Sequence, residues 1–349
     1  MIGKKKEILQ VAAVYVGTVV GAGFATGREI VEFFTQYGFF GLLGILISGF
    51  LFMWLGTKMM IISRQIRAES YKEFNEYLFG RKVALVVNMF MLIVLIGVTS
   101  VMLSGAGAVF HEQMGLSFQF GVIITMILAI CVLSFGVKGL FSVNTFVVPL
   151  LIIFSTLLAV KVLVSGNSIA FLEVNSNHQY KWLISPFTYT AFNLAMAQAV
   201  LVPLAKEVKH DSSIIWGGIL GGAALGLILF TSHISLSSLP NIVQYEIPMA
   251  EVMKGVFLSI HWFYIIIIYG EIFTSVIGDI FGLQRQVKQL IRIPNIIIVI
   301  VILIIAYSIS LLGYGSLISI LYPIFGYMSL ALLVLLMIPK DQLDKRYYK

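Results

Sequence analysis

Gly17-Thr-Val-Val-Gly21-Ala-Gly23-Phe-Ala-Thr-Gly27 sits inside an apolar stretch running from about residue 8 to residue 36. Glycine in a helix interior costs about 1 kcal/mol relative to alanine, so a run this rich in glycine weakens any helix that carries it. Two uses fit. Gly17-x-x-x-Gly21 and Gly23-x-x-x-Gly27 have the spacing that lets membrane helices approach closely. Gly21-Ala-Gly23, with Gly27 so near, also suits an unwound segment, and this is the reading we favour. At ~1.5 Å per residue from Ile8, Gly21 to Gly23 lie about 20 Å along the helix, near the middle of a bilayer. Unwound backbone at that depth persists only where it is buried in protein or lines a cavity. There it offers bare N–H and C=O groups to a polar ligand.

The rest of the chain supplies the membrane. Of its 349 residues, 59% are hydrophobic and 11% charged, against about 25% charged in soluble domains. So few charges cannot cover a water-facing surface. We read one transmembrane domain over 1–349, with a first repeat at about 8–164, a second at about 184–338 and a tail at 339–349. A span needs about 20 apolar residues. Ten stretches qualify: 8–36, 39–63, 82–110, 117–136, 141–164, 184–205, 213–238, 252–282, 294–312 and 314–338. Lys4, Lys5 and Lys6 precede an apolar run too long for a signal peptide, so the first span is expected to stay. The single cysteine, Cys131, allows no intrachain disulfide and no cysteine metal set.

The formal net charge of +7 is a topology signal. Of the 23 lysines and arginines, all but Lys161, Lys181, Lys254 and the intramembrane Arg28 fall on one side of the ten-span arrangement. By the positive-inside rule that side is cytoplasmic. The expectation is a multi-pass protein of the bacterial inner membrane, both termini cytoplasmic, with no nucleic-acid role. Residues 68–81 read as an amphipathic helix on that side. Residues 165–185 and 239–251 form the longer outer segments.

The sixth span, Ser185-Pro-Phe-Thr-Tyr-Thr-Ala-Phe-Asn193-Leu-Ala-Met-Ala-Gln198, is polar and aromatic for a membrane helix. Asn193 lies about half-way through it, and Tyr189 and Phe192 flank it. An interhelical hydrogen bond would explain the asparagine; so would a second break. Spans 1 and 6 open two five-helix halves. Since five is odd, the halves enter the membrane from opposite sides, the inverted-repeat arrangement of many transporters. The fold class expected is an all-α polytopic membrane protein, a five-plus-five inverted repeat with helices 1 and 6 discontinuous.

Span 8 reads Ile268-Tyr-Gly-Glu271-Ile-Phe-Thr274-Ser275-Val-Ile-Gly-Asp279. Glu271, Thr274 and Ser275 share one helical face. An ionisable residue deep in a membrane is by default a functional hypothesis. Glu271 could ligate a cation, carry a proton or hold a substrate ammonium; a structural pair with another buried group is the bland alternative. Arg28 and Glu32 form an i, i+4 pair read as a salt bridge. Asp279 lies one turn from the inner face.

The run GTVVGAGFATGREI (17–30) followed by EFFTQYG (32–38) resembles the YkvI-type bacterial membrane proteins of the amino acid–polyamine–organocation superfamily. Val20-Gly-Ala-Gly-Phe24 is similar to that superfamily's first-helix motif. The resemblance implies a LeuT-type fold and cation-coupled or proton-coupled transport of a small amino acid or amine. It implies a substrate site at Gly21, Ala22, Gly23, Phe24, Tyr189, Phe192, Asn193 and Glu271, and a sodium site from Val20, Gly23, Glu271, Thr274 and Ser275. A substrate carboxylate would sit on the free N–H groups opening the outer half of helix 1. No cofactor is expected beyond Na+ or H+ as coupling ion, and no partner beyond the small-molecule substrate and the lipid bilayer. An enzyme is not expected: there is no His-Glu-x-x-His, no Gly-x-Ser-x-Gly and no paired acids in a loop.

Overall fold

A computed structural model describes residues 2–135, 140–165, 180–290 and 293–338. The segment expected as the long outer loop, 165–185, falls mostly outside them. The first span is built from three pieces, α1 (Ile2–Val19), α2 (Ala22–Thr26) and α3 (Arg28–Phe33). Span 2 is α4 (Phe39–Leu51) and α5 (Thr57–Gln65), joined through a π turn at Phe52–Gly56. The amphipathic α6 (Tyr71–Phe79) follows, inside the predicted 68–81. Spans 3, 4 and 5 are α7 (Arg81–Ala108), α8 (Phe118–Phe135) and α9 (Leu140–Val164). The second half holds α10 (Lys181–Glu207), α11 (Asp211–Leu236), the short α12 (Pro248–Val256), α13 (His261–Leu290), α14 (Asn295–Ser310) and α15 (Tyr314–Met337).

The two halves match in kind. Each places a short helix between its second and third spans, α6 in one and α12 in the other. The expected span 252–282 begins later than predicted because Pro248, at the first turn of α12, starts a separate helix that stops at Val256. Proline suits that position since its missing N–H would go unbonded there anyway.

Two layers result. Spans 1, 2, 6 and 7 form a bundle in which α1 and α4 pack on α11 and α10 packs on α4 and α5. Spans 3, 4, 8 and 9 form a second group, α7 against α8, α13 and α14, and α2 touches α13 across the boundary. Small residues set the closest approach. A Cβ on Gly222 of α11 would stand 2.5 Å from the Met53 amide nitrogen, and one on Gly217 would stand 2.6 Å from Val11 Cβ. The Tyr15 hydroxyl donates to the Phe52 carbonyl at the π turn, 2.9 Å away. Large apolar side chains such as Leu85, Val86, Ile93 and Ile266 stay exposed, a surface that suits lipid rather than water.

The break in span 1 is present. Gly21 is extended (φ −114°, ψ −170°) and Gly27, at φ 81°, turns the chain between α2 and α3. Span 6 departs from expectation: α10 runs continuously through Asn193. It holds no glycine, and its polar side chains reinforce their own helix. The Thr188 hydroxyl donates to Ser185 O at 3.0 Å, and Asn193 Nδ2 donates to Tyr189 O at 3.1 Å. The second interruption, expected from the polar, aromatic character of span 6 and partly from symmetry with span 1, does not form: neither its polar residues nor Pro186 and Pro203, which lie inside α10, interrupt the helix.

Candidate functional site

At the break, Val20 and Gly21 lie outside both α1 and α2 and Gly21 is extended, so the run of helical backbone is interrupted there. The helix resumes only when Phe24 and Ala25 both donate to Gly21 O, at 3.1 and 3.0 Å. A Cβ on Gly21 would meet no heavy atom within 4 Å, so there is open space beside the break.

Gly23 is different. A Cβ there would lie 2.5 Å from Glu29 Oε2, 3.2 Å from Glu29 Cβ and 3.4 Å from the Tyr322 ring. The left-handed turn at Gly27 reverses the chain enough for the Glu29 side chain to fold back onto the start of α2. Only glycine adopts that turn without strain. Glu29 is 4% exposed. Asn193 Nδ2 donates to its Oε1 at 3.2 Å, so the span 6 asparagine meets span 1 as an interhelical hydrogen bond. The Tyr189 hydroxyl lies near the same carboxylate without reaching hydrogen-bond geometry. Tyr189 is fixed by Phe33, Phe34 and Phe52, with ring centroids at 5.1, 4.9 and 5.9 Å. Phe192 packs against Tyr322 with the rings tilted and their centroids 4.7 Å apart.

Of the residues expected at a substrate site, Gly21, Ala22 and Gly23 line the break, while Asn193, Tyr189 and Phe192 converge on Glu29 or its Tyr322 neighbour. Phe24 is buried on the same short helix. Glu29 itself was missed. It stands in an apolar span, the same signal that marked Glu271, but its direction depends on the Gly27 turn. The expected dipole at the start of the outer half-helix is also weak. The α2 helix has five residues, too few for aligned peptide dipoles to sum appreciably.

Span 8 closes the other side. The Tyr264 hydroxyl donates to Ala25 O at 3.3 Å, which fixes the face α13 turns to α2. Glu271 is seven residues further on, about 10 Å along the helix toward the basic end, and close to the same face. It is 1% exposed, and both carboxylate oxygens lack a partner. Thr274 is buried and its hydroxyl donates to Glu271 O at 3.1 Å; Ser275 is partly buried. The Gly23 carbonyl, expected on a cation, accepts from Thr26 at 3.2 Å. The remaining donors, the Val20 carbonyl, the Glu271 carboxylate and two hydroxyls, are all oxygens and so suit a hard cation. Among the described residues no three His, Cys, Asp or Glu side chains group as a transition-metal site would.

Polar contacts tie elements together at both ends of this region. Toward the far end, Arg28 Nη1 donates to the carbonyls of Val243 and Tyr245 at 2.6 and 2.9 Å. This bridge to the segment before α12 holds the guanidinium. Glu246 accepts from the Gly315 amide at 2.6 Å, and Glu112 accepts from the amides of Glu246 and Ile247 at 3.2 and 2.7 Å. At the basic end, Glu7 accepts from the Lys209 amide at 2.7 Å and pairs with His210 at 2.9 Å, and Arg64 pairs with Asp211. The Glu7 carboxyl is pulled down to about 2, chiefly by the Ser213 hydroxyl beside it and also by His210 and the Lys209 amide. Asp279, on the basic-end half of α13, keeps one carboxylate oxygen buried and unpartnered.

No family model matches the sequence. The chain is 51% identical over 336 residues to the membrane protein YkvI of Bacillus subtilis (strain 168), covering 96% of this chain and 97% of that one. It is 27% identical over 333 residues to the Bacillus subtilis protein YyaD, covering 92% and 94%. Among solved structures it resembles MhsT in complex with L-phenylalanine (TM-score 0.69, 16% identity, 93% of this chain and 88% of that one). It also resembles inward-facing Mhp1 (TM-score 0.66, 14% identity, 94% and 75%) and a manganese transporter of Eremococcus coleocola (TM-score 0.55, 13% identity, 94% and 76%). At these identities the structural likeness establishes the fold, which is of the LeuT type.

Proposed function

The chain belongs to the family of the membrane protein YkvI, and on that premise we propose that it is a secondary transporter working by alternating access. The observation that carries this reading is the unwound segment of helix 1. Its interrupted backbone lies mid-span, with the buried carboxylate of Glu29 folded back against Gly23 and open space at Gly21. Interrupted backbone at that depth suits a polar ligand.

The substrate class is a small amino acid or amine, in keeping with the ligand of the structural neighbour that holds L-phenylalanine. The substrate lies against Gly21, Ala22 and Gly23 and is covered by Phe192, Tyr189 and Tyr322. A coupling cation, sodium or a proton, is taken by the Val20 carbonyl, Glu271, Thr274 and Ser275. The basic end faces the cytoplasm of a bacterial cell. Opening outward requires Arg28 to leave the Val243 and Tyr245 carbonyls; opening inward requires α1 to leave His210 and Lys209. Both sets are formed together here, as in an occluded state.

The test is uptake into proteoliposomes of labelled amino acids and amines, with an imposed sodium gradient, a proton gradient or neither. Saturable, gradient-driven accumulation supports the proposal and assigns the ion. Turnover of a lipid-linked substrate without uptake would sink it.

A further inference from the structure

Among the described residues, Arg28, Glu29 and Glu271 are buried around the break, and Asp279 keeps one buried carboxylate oxygen further along α13. The one cation among them is committed elsewhere, since Arg28 donates to the Val243 and Tyr245 carbonyls. The two buried histidines do not offset the acids: His233 meets the Thr35 hydroxyl, and His261 meets Gln113 near the far end. Glu29 is steadied by a neutral amide, Asn193, and Glu271 has no partner on either oxygen.

A zwitterionic amino acid needs a place for its own carboxylate at the helix 1 break. Glu29 already occupies that place, its Oε2 lying 2.5 Å from where a Gly23 Cβ would be. A second carboxylate there would face like charge at short range in a water-poor site. From this geometry we infer that the substrate is an organic amine without a carboxylate, its ammonium held by Glu29 and its body packed on Phe192 and Tyr322. The protein supplies in cis the negative group that an amino acid would bring with it. Glu271, about 10 Å along α13 from the Tyr264 contact, is left for the coupling cation. The inference rests on the transporter reading and narrows it.

The decisive experiment pairs each amino acid with its decarboxylated amine: phenylalanine with phenethylamine, ornithine with putrescine. Wild-type protein in proteoliposomes is assayed for uptake of each labelled compound and for inhibition by its pair-mate. The expectation is a preference for the amine of at least about a hundredfold in apparent affinity, as expected for one like-charge contact at low effective dielectric. Glu29→Gln should lower amine uptake at least about tenfold while amino acids become measurable competitors. Amino acid uptake by the wild type with the amines inert would overturn the inference and leave the transporter reading standing. Saturable uptake of neither class would overturn both. The wild-type comparison decides even if Glu29→Gln does not fold.

Discussion

Gly23→Ala and Gly21→Ala differ by two positions and should behave in opposite ways. At Gly23 the new methyl would stand 2.5 Å from Glu29 Oε2 and 3.2 Å from Glu29 Cβ. The carboxylate is the far end of a flexible side chain, so it swings aside and the protein still folds. Swinging aside breaks its hydrogen bond with Asn193, 3.2 Å in the native arrangement. A hydrogen bond to a charged group contributes roughly 1.5–3 kcal/mol, and 1.4 kcal/mol is about tenfold in affinity. The variant should therefore lose roughly 1.5–3 kcal/mol of stability, and with Glu29 displaced from the ammonium its apparent KM should rise roughly tenfold or more. At Gly21 a methyl meets nothing within 4 Å, and φ of −114° suits any residue. Gly21→Ala should thus fold as the wild type does, and any loss of uptake would come from filling the space beside the break. The assay is initial-rate uptake over a substrate series, alongside thermal unfolding of both variants. Native KM in Gly23→Ala would refute the placement of Glu29 in the site. A large loss of stability in Gly21→Ala would refute the open space.

Glu271→Gln should abolish gradient-driven accumulation while leaving substrate counterflow, because it removes the charge available to the coupling cation; full accumulation would take the carboxylate out of the scheme. Arg28→Ala should release the segment before α12, so that in a Cys131→Ser background an added Thr26→Cys becomes reactive to a membrane-impermeant thiol reagent. Thr26 is fully buried in the native arrangement, and unchanged protection would show that Arg28 is not the latch. The Glu7 tie should be pH-dependent. Its carboxyl titrates near 2 when folded against an ordinary 4.5, so the tie stabilises fully above the higher value and is lost as pH falls toward the lower one. The stability difference between wild type and Glu7→Gln should hold above pH 4.5 and close below it; a difference unchanged down to pH 2 would refute the assignment.

The spans were legible because a bilayer imposes a length and a composition that any ten apolar runs must meet. The first break was legible because glycine carries it: Gly21 and Gly27 adopt the extended and left-handed conformations that end one helix and turn the next. The partners of the charged residues were not legible. Arg28 and Glu32 are neighbours on a helical surface, but Arg28 finds carbonyls more than two hundred residues away, a contact set by where the chain returns after span 7. Glu29, next to Arg28 in the sequence, drew no reading. Only the turn at Gly27 sends it inward. The expected break in span 6 failed for the converse reason: symmetry of count does not oblige symmetry of backbone, and local side-chain hydrogen bonds hold α10 together.

That asymmetry divides the chemistry between the two halves. Of spans 1 and 6 it is span 1 whose helix is interrupted at mid-span, so in the transporter proposed above the main-chain donors and acceptors for a ligand come from the first repeat. On the same proposal the second repeat contributes side chains: Asn193 and Phe192 from α10, Glu271 from α13 and Tyr322 from α15. A continuous helix 6 cannot hinge at its middle as a broken one can, so its movement must be as a rod against span 2, with Ser185 tied to the Phe33 carbonyl at the far end. The flexible joint then lies in span 1, where Gly21 separates α1 from α2. Inward opening should accordingly be a swing of α1 about Gly21 after the Glu7 ties part. The Glu29–Asn193 contact, above the hinge, stays with the far-end half throughout. On the proposal above, an amine held there should remain bound while α1 moves and should leave when its ammonium is hydrated from the basic side.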